Sequence, residues 1–218
     1  MKKFLSIYRD DLEDFIHSSL TSRPDGIFGF VENYAIKTRV PILSPATGEV
    51  LRFITNSLRP GRVLELGTGL GYSILWMLST GLSISIDSWE RNPECISRAG
   101  EFIEKFRRHG QEVNFRECHI MDTLRDATLQ DYDLIFVDCD KICYPELLRI
   151  LPFKVKKGAF LLFDNVLWHG RLKKGKFNRP SDLSMQEFWD LVSESYPRRT
   201  LFPVGDGLLL LQIMDNEM

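Results

Sequence analysis

Short apolar runs alternate with amphipathic stretches along most of the chain. The runs have the length and apolar character of strands buried on both faces, and they predict strands at 63–66, 83–89, 113–117, 132–137 and 159–163. Helical spacing predicts the intervening helices at 72–79, 93–109, 144–150 and 182–195. This regular alternation favours an α/β fold with a mainly parallel sheet that helices cover on both sides.

The N-terminal part of the chain departs from this alternation because it carries only helical patterns. Apolar residues recur at helical spacing over 4–16 and again over 30–35. Ser44 followed by Pro45 predicts the start of a third helix, with a capping side chain and a proline at the first helical position. We expect residues 1–58 to form a helical cap, which could cover the sheet or supply the surface of a homodimer.

The C-terminal part carries a hairpin pattern instead. Two strand-like runs at 201–204 and 208–214 are joined by Gly205-Asp206-Gly207, which is typical of a tight turn. The sheet is therefore expected to have seven strands and to finish with an antiparallel strand. A chain of 218 residues suits a single domain, with the α/β core at 59–218.

Composition excludes several classes of protein. The 28 basic and 30 acidic residues give a formal net charge of -2, so no global charge indicates a nucleic-acid or membrane partner. No apolar run approaches the ~20 residues that a membrane span requires. The four cysteines include no Cys-x-x-Cys pair and no signal-like stretch opens the chain, so we expect a reduced, cytoplasmic protein.

A glycine-rich stretch follows the first predicted strand, and it contains Glu65, Gly67, Gly69, Gly71 and Ser73. Glycines at the carboxyl end of a strand let the backbone approach a bound nucleotide closely. The dinucleotide pattern Gly-x-Gly-x-x-Gly is out of frame here, because its third glycine comes one residue early. The acid before the glycines suits a cationic ligand better than a pyrophosphate, although a turn without ligand remains the alternative.

The second predicted strand ends at Glu90, a little over 20 residues beyond the first glycine turn. An acid at the tip of a neighbouring strand can accept hydrogen bonds from both hydroxyls of a ribose. Asp87 is the competing acid, but Pro93 opens the next helix and leaves Glu90 at the strand tip. The alternative is that Glu90 is a solvated acid before a helix N-terminus.

Two further strand ends carry polar side chains that are expected to meet in one crevice. Asp138 and Lys141 follow the fourth strand, and Asp164 and Asn165 follow the fifth. Carboxylate and amide oxygens are ligands for hard divalent cations such as Mg²⁺. A lysine beside them is plausible as a proton acceptor, unless it only forms a salt bridge with Asp138 or Asp140.

Five motifs together resemble the cation-dependent O-methyltransferases of class I, which use S-adenosylmethionine. The resemblance covers roughly residues 38–214, and that family includes catechol and caffeoyl-CoA O-methyltransferases and a bacterial tRNA 5-hydroxyuridine methyltransferase. It implies a Rossmann-like, doubly wound fold. The motifs begin at Glu65 (Glu-Leu-Gly-Thr-Gly-Leu-Gly-Tyr-Ser), Glu90 (Glu-Arg-Asn-Pro), Asp133 (Asp-Leu-Ile-Phe-Val-Asp-Cys-Asp-Lys), Asp164 (Asp-Asn-Val-Leu-Trp-His-Gly) and Pro203 (Pro-Val-Gly-Asp-Gly-Leu).

The resemblance implies a role for each matching residue. Asp138, Asp164 and Asn165 would hold Mg²⁺, with Asp138 also bordering the cofactor, and Lys141 would be the catalytic base. The remaining matches concern S-adenosylmethionine: Glu90 would bind its ribose, Ser73 and the backbone near Leu43 its methionine carboxylate end, and Met121 with Asp122 its adenine.

The acceptor of the methyl group stays open between two classes. A catechol-like small molecule and a tRNA 5-hydroxyuridine both offer two neighbouring oxygens. Met121, Cys139 and Asp140 depart from residues common in the family, and Asp140 replaces the aromatic residue of the catechol enzymes. A basic segment at 171–179 could guide a phosphate-bearing acceptor or be a solvated loop. A non-catalytic nucleotide-binding module and an NAD-dependent oxidoreductase are more distant alternatives.

Overall fold

The computed structural model describes Leu12, residues 15–172 and residues 179–214. Most of the helix predicted over 4–16, and residues 173–178 of the basic segment, lie outside the described residues. A short π-helical turn at Ile16–Leu20 precedes the longer helices. The predicted homodimer surface on this N-terminal cap stays a prediction.

Seven strands in the described part of the chain form one sheet. They are β1 (Arg62–Leu66), β2 (Ile84–Glu90), β3 (Gln111–Glu117), β4 (Leu134–Val137), β5 (Phe160–Phe163), β6 (Arg199–Phe202) and β7 (Leu208–Gln212). Their order is β3-β2-β1-β4-β5-β7-β6. β7 is antiparallel to both of its neighbours, whereas the pairs from β3 to β5 are parallel. The prediction of a mainly parallel, seven-stranded sheet with one antiparallel C-terminal strand is thus confirmed.

Helices precede the sheet and connect its strands. They are α1 (Gly26–Thr38), α2 (Pro45–Leu58), α3 (Tyr72–Leu78), α4 (Pro93–Glu104), α5 (Ile120–Asp126), α6 (Tyr144–Lys154) and α7 (Pro180–Ser195). The predicted cap on α2 is present, because the Ser44 hydroxyl accepts a hydrogen bond from the Thr47 amide at 3.1 Å and Pro45 opens the helix. No helix in the described ranges combines the length and the apolar character of a membrane span.

The region between α4 and β3 differs from the prediction of a helix over 93–109. The helix ends at Glu104, and the strand starts at Gln111 rather than at Val113. The buried Gln111 side chain donates hydrogen bonds to the carbonyl oxygens of Leu78 (2.7 Å) and Leu82 (3.2 Å). This tertiary contact fixes the turn and overrides the helical pattern. The short helix α5 was not predicted.

Strand order places the ligand crevice between β1 and β4. From β1 the chain proceeds outwards through β2 to β3, and it then returns to β4 on the other side of β1. Ligands of open α/β sheets bind at such a switch point, beyond the carboxyl ends of the strands. The glycine stretch and the Asp138 to Lys141 segment follow β1 and β4, so the fold brings them to the same crevice.

Close packing of α2 against α3 yields a test of the fold. A Cβ at Gly48 would overlap the buried Trp76 indole, whereas a Cβ at Gly29 on α1 meets nothing within 4 Å. Gly48→Ala is expected to lower the free energy of unfolding by about 1–3 kcal/mol because the helices must move apart. The control Gly29→Ala should raise the same quantity by up to ~1 kcal/mol, since alanine favours a helix. Urea unfolding measures both values, and equal stability of the two variants would contradict the packing.

Candidate functional site

One cavity of about 820 Å³ lies at the carboxyl ends of the strands. A volume of this size suits a small-molecule or cofactor site. Most of the residues that the sequence predicted for the site line it, namely Leu43, Gly67, Gly69, Ser73, Glu90, Met121, Asp122, Asp138, Lys141, Asp164 and Asn165. Cys139 and Asp140 also line it. Two predicted residues do not line it: Glu65 and Gly71.

Glu65 lies behind the glycine loop and is fully buried. Its carboxylate accepts hydrogen bonds from the hydroxyls of Ser73 and Ser88, and Ser88 is also hydrogen-bonded to Thr68 at 2.6 Å. Burial raises the pKa of Glu65 to about 8, although both hydroxyls oppose the shift. The expectation that Glu65 contacts a ligand is therefore corrected: its carboxylate holds Ser73 and the loop in place.

The glycines of the loop serve different purposes. Gly67 has φ +103°, and a Cβ there would overlap the carbonyl group of Asp138. Gly71 has φ +71° and precedes α3, where a Cβ would lie 3.0 Å from Ala99 Cβ and from Ile103 Cδ1. Gly71 thus allows α3 to pack on α4, which corrects the prediction that it contacts the ligand.

Glu90 lies at the cavity as predicted, and its carboxylate is held by the backbone. Oε1 accepts hydrogen bonds from the amides of Arg91 and Asn92, both at 2.9 Å, and Oε2 accepts one from Gly69 at 3.2 Å. The competitor Asp87 does not line the cavity. Its carboxylate instead accepts hydrogen bonds from three other side chains, those of Arg62, Asn114 and Tyr132.

Asp138, Asp164 and Asn165 present oxygen atoms of the kind that a hard cation binds. Asp164 is 1% exposed. Its Oδ1 accepts a hydrogen bond from the Asn165 backbone amide at 2.8 Å, while its buried Oδ2 has no hydrogen-bond partner among the described residues. Burial and the nearby Asp138 raise the pKa of Asp164 to about 8. A buried carboxylate oxygen without a hydrogen-bond partner can bind a hard cation.

Asp138 and Asp164 supply two carboxylates for a cation, and the side-chain amide oxygen of Asn165 is needed as the third ligand. Within the described ranges, no group of three or more His, Cys, Asp and Glu side chains could hold a metal ion. Asn165 has φ +56°, a left-handed conformation that costs energy for a residue other than glycine. Strain of this kind is typical of functional sites.

Lys141 forms part of the cavity wall and is 8% exposed. Its Nζ donates hydrogen bonds to Asp138 Oδ1 (2.9 Å), the Cys139 carbonyl (3.3 Å) and the Tyr144 hydroxyl (2.9 Å). The salt bridge with Asp138, considered as an alternative role, is therefore present. Asp140 instead accepts the Ile142 amide at 3.2 Å. The role of Lys141 as a base stays a prediction.

Residues 165–170, here called the strap, border the cavity. The sequence placed them in one of the five motifs but gave a role only to Asn165. Trp168 and His169 both line the cavity, and both have left-handed backbone angles. The amides of Val166 and Leu167 donate to the carbonyls of Gly207 (3.1 Å) and Asp206 (2.8 Å), and the His169 amide donates to Asp206 Oδ1 at 2.7 Å. The turn before β7 was predicted only as a hairpin, but it also holds the strap.

Asp182, at the start of α7, is a second anchor that sequence reasoning missed. This buried carboxylate accepts the Trp168 indole N–H at 2.7 Å and two hydrogen bonds from the Arg171 guanidinium, at 2.9 and 2.6 Å. It also accepts the Arg179 amide at 3.1 Å. An acid at the first residue of the helix predicted over 182–195 was the only available signal, and it indicated no more than a cap.

Comparisons with known proteins converge on one family. Residues 31–214 match the sequence model of a family described as O-methyltransferase. Caffeoyl-CoA O-methyltransferase of Stellaria longipes is 30% identical over 183 residues, which cover 76% of this chain and 73% of that protein. The corresponding protein of Petroselinum crispum is 29% identical over 185 residues, covering 75% and 73%.

Solved structures support the same fold. The SAH-bound methyltransferase PaMTH1 of Podospora anserina has a TM-score of 0.81 and 22% identity, covering 99% of this chain and 100% of that one. An O-methyltransferase of Bacillus cereus in complex with SAH has a TM-score of 0.78 and 21% identity, covering 93% and 97%.

The buried Glu65 carboxyl predicts a pH dependence of stability. Its pKa is about 8 in the folded protein and near the ordinary 4.5 in the unfolded chain. Between these values the folded state binds more protons, so the free energy of unfolding should fall as pH rises from about 4.5 to about 8. Relative to Glu65→Gln, which keeps the shape but does not titrate, the wild type should lose about 2–4 kcal/mol across this window.

Thermal unfolding of the ligand-free proteins at a series of pH values measures this difference. Glu112→Gln serves as control because Glu112 is an exposed acid on β3, and this variant should follow the wild type. Parallel curves for the wild type and Glu65→Gln would show that burial of Glu65 does not shift its titration.

Proposed function

The chain belongs to the O-methyltransferase family, and from this premise we propose that it transfers the methyl group of S-adenosylmethionine to a hydroxyl of a small catechol-like acceptor. The acceptor hydroxyl would have a second oxygen beside it. One observation carries the proposal: the glycine loop and Glu90 share a single cavity with Asp138, Lys141, Asp164 and Asn165.

The cofactor would lie along the glycine loop, with its ribose at Glu90. A carboxylate offers about four lone-pair sites, and backbone amides occupy three of them here. A ribose diol needs two, so we expect the long contact from Gly69 to give way when the cofactor binds. Ser73 and the backbone at Leu43 would meet the methionine end, and Met121 with Asp122 the adenine.

Asp138, Asp164 and Asn165 would hold a divalent cation such as Mg²⁺. When bound, the cation would supply an anchor for two neighbouring acceptor oxygens and a lower pKa for the reacting hydroxyl. The orphaned Asp164 Oδ2 and the strained backbone of Asn165 support this assignment. A purely nucleotide-binding protein would have no need for such a set beside a buried lysine.

Lys141 would accept the hydroxyl proton at Nζ. As an ammonium, Nζ donates to three protein groups and has no lone pair. Before it can accept the hydroxyl proton it must release one of its own protons to solvent, and the lone pair of the resulting amine takes the place of one donated hydrogen bond. The 3.3 Å contact with the Cys139 carbonyl is the longest of the three and is the one most easily given up. The resulting oxyanion attacks a sulfonium and neutralises its charge, so a water-poor, well-positioned site favours the transfer.

A small acceptor is favoured over tRNA. The strap borders the cavity. Within the basic segment, Arg171 forms a salt bridge with the buried Asp182, so its charge is already neutralised. The caffeoyl-CoA O-methyltransferases among its relatives are named for a small-molecule ester. The experiment below distinguishes a small acceptor from tRNA.

Methyl transfer from radiolabelled S-adenosylmethionine tests the proposed function. The acceptors are a panel of catechols with their mono-hydroxyl analogues as matched controls, and tRNA that lacks the modification, each with Mg²⁺ or with excess chelator. We expect transfer to catechols only, with loss of at least ~100-fold in chelator because the acceptor oxygens lose their anchor. Full activity in chelator would contradict the metal role, and transfer to tRNA alone would replace the acceptor class.

A variant of Lys141 tests the proposed base. Lys141→Met keeps the length of the side chain but cannot accept a proton, so kcat should fall by about 10²–10⁴-fold while the affinity for S-adenosylhomocysteine is retained. Lys105→Met is the control because Lys105 is exposed at the end of α4 and does not line the cavity. Undiminished turnover of Lys141→Met would remove Lys141 from the mechanism.

A further inference from the structure

We infer that the Tyr144 hydroxyl is the positioning group that holds Lys141 and the three proposed cation ligands in their working arrangement. This inference rests on the proposed function of the same cavity. Tyr144 does not line that cavity and its side chain is fully buried, so it acts through the residues that it holds.

The position of the hydroxyl at a junction of three groups carries the inference. Tyr144 Oη lies 2.9 Å from Lys141 Nζ, 2.9 Å from the Val137 carbonyl oxygen and 2.8 Å from the Asp164 carbonyl oxygen. The hydroxyl accepts from the lysine and donates its single proton to the carbonyls. Val137 immediately precedes Asp138, and Asp164 immediately precedes Asn165, so one atom links the ends of β4 and β5 to the proposed base.

The Asp164 carbonyl is the main acceptor of that proton. The Val137 carbonyl already accepts the Asp164 amide at 3.0 Å, whereas the contact of Tyr144 with the Asp164 carbonyl is the shorter one. This carbonyl belongs to the peptide that leads into Asn165, whose φ is +56°. By fixing the orientation of this peptide, the hydroxyl offsets the strain of the left-handed Asn165 and holds that residue at the cavity.

The aromatic ring of Tyr144 has a separate packing role. It lies 5.3 Å from the Phe163 ring and 5.5 Å from the Phe188 ring, between centroids. A phenylalanine would keep these contacts, so Tyr144→Phe removes the hydroxyl alone. Groups that orient metal ligands from behind typically change metal affinity or activity about 10–100-fold when they are removed.

The experiment compares Tyr144→Phe with the wild type in three measurements. Calorimetry gives the affinity for S-adenosylhomocysteine and, in its presence, the affinity for Mg²⁺. Steady-state kinetics give kcat and the KM for S-adenosylmethionine. We expect the Mg²⁺ affinity and kcat each to fall about 10–100-fold, with the S-adenosylhomocysteine affinity and KM unchanged. A stoichiometry of S-adenosylhomocysteine binding near that of the wild type shows that the variant is folded.

Tyr132→Phe is the matched control. It removes another largely buried hydroxyl, one that donates to Asp87 at 2.7 Å outside the cavity, and it should leave all three measurements unchanged. Wild-type Mg²⁺ affinity and kcat in Tyr144→Phe would overturn the inference, as would an equal loss of S-adenosylhomocysteine affinity, which indicates general damage. A wild-type protein that neither binds Mg²⁺ nor transfers methyl would instead overturn the proposed function, and the inference with it.

Discussion

The close approach of Gly67 to the Asp138 carbonyl group is the constraint on which the cavity depends. β1 and β4 are hydrogen-bonded neighbours, and at their ends the Asp138 amide donates to the Leu66 carbonyl at 3.0 Å. A side chain at position 67 would force these strand ends apart. The glycine loop and the segment from Asp138 to Lys141 therefore form one rigid wall. Reactions that require in-line geometry benefit from such fixed spacing.

Another part of the cavity wall is made of strained backbone held by distant residues. Asn165, Trp168 and His169 adopt left-handed conformations within five positions of one another. Such conformations persist only where surrounding contacts over-determine them. Here the contacts come from Tyr144, from the turn before β7 and from Asp182, each on a different element of the fold. The strap is thus shaped by the tertiary structure rather than by its own sequence.

This division explains what sequence reasoning could and could not achieve. Strand ends carry visible signals, so it correctly placed Asp138 and Asp164 at one crevice and preferred Glu90 over Asp87 at the cavity. An acid beside glycines suits a cation, so Glu65 was expected at the ligand, yet it lies within β1 and its carboxylate meets the hydroxyls of Ser73 and Ser88. In a strand that is buried on both faces, the residue pattern does not specify which partners a side chain meets.

Other residues were missed because their partners are far away in sequence. The Gln111 side chain reaches carbonyls about 30 positions earlier, and with this contact β3 starts earlier than the sequence pattern predicted. Tyr144 follows Lys141 by three residues, but its hydroxyl also meets the carbonyl of Asp164, twenty positions later. An aromatic residue at the start of an apolar helix indicates packing first, and its polar group reveals a second role only when the acceptors are known.

The hairpin that holds the strap also bears on how the protein is made. Synthesis proceeds from the N-terminus, and β1 to β5 with their helices can pair before β7 leaves the ribosome. β7 must then insert between β5 and the late strand β6, bringing Asp206 and Gly207 to the strap. Until that moment the nascent chain holds its glycine loop and its strand-end acids, but the amides of Val166, Leu167 and His169 lack the acceptors that Asp206 and Gly207 provide. A ribosome-bound chain can therefore acquire most of its sheet before the strap has all of its hydrogen bonds, and the site is completed together with the last pairing of the sheet.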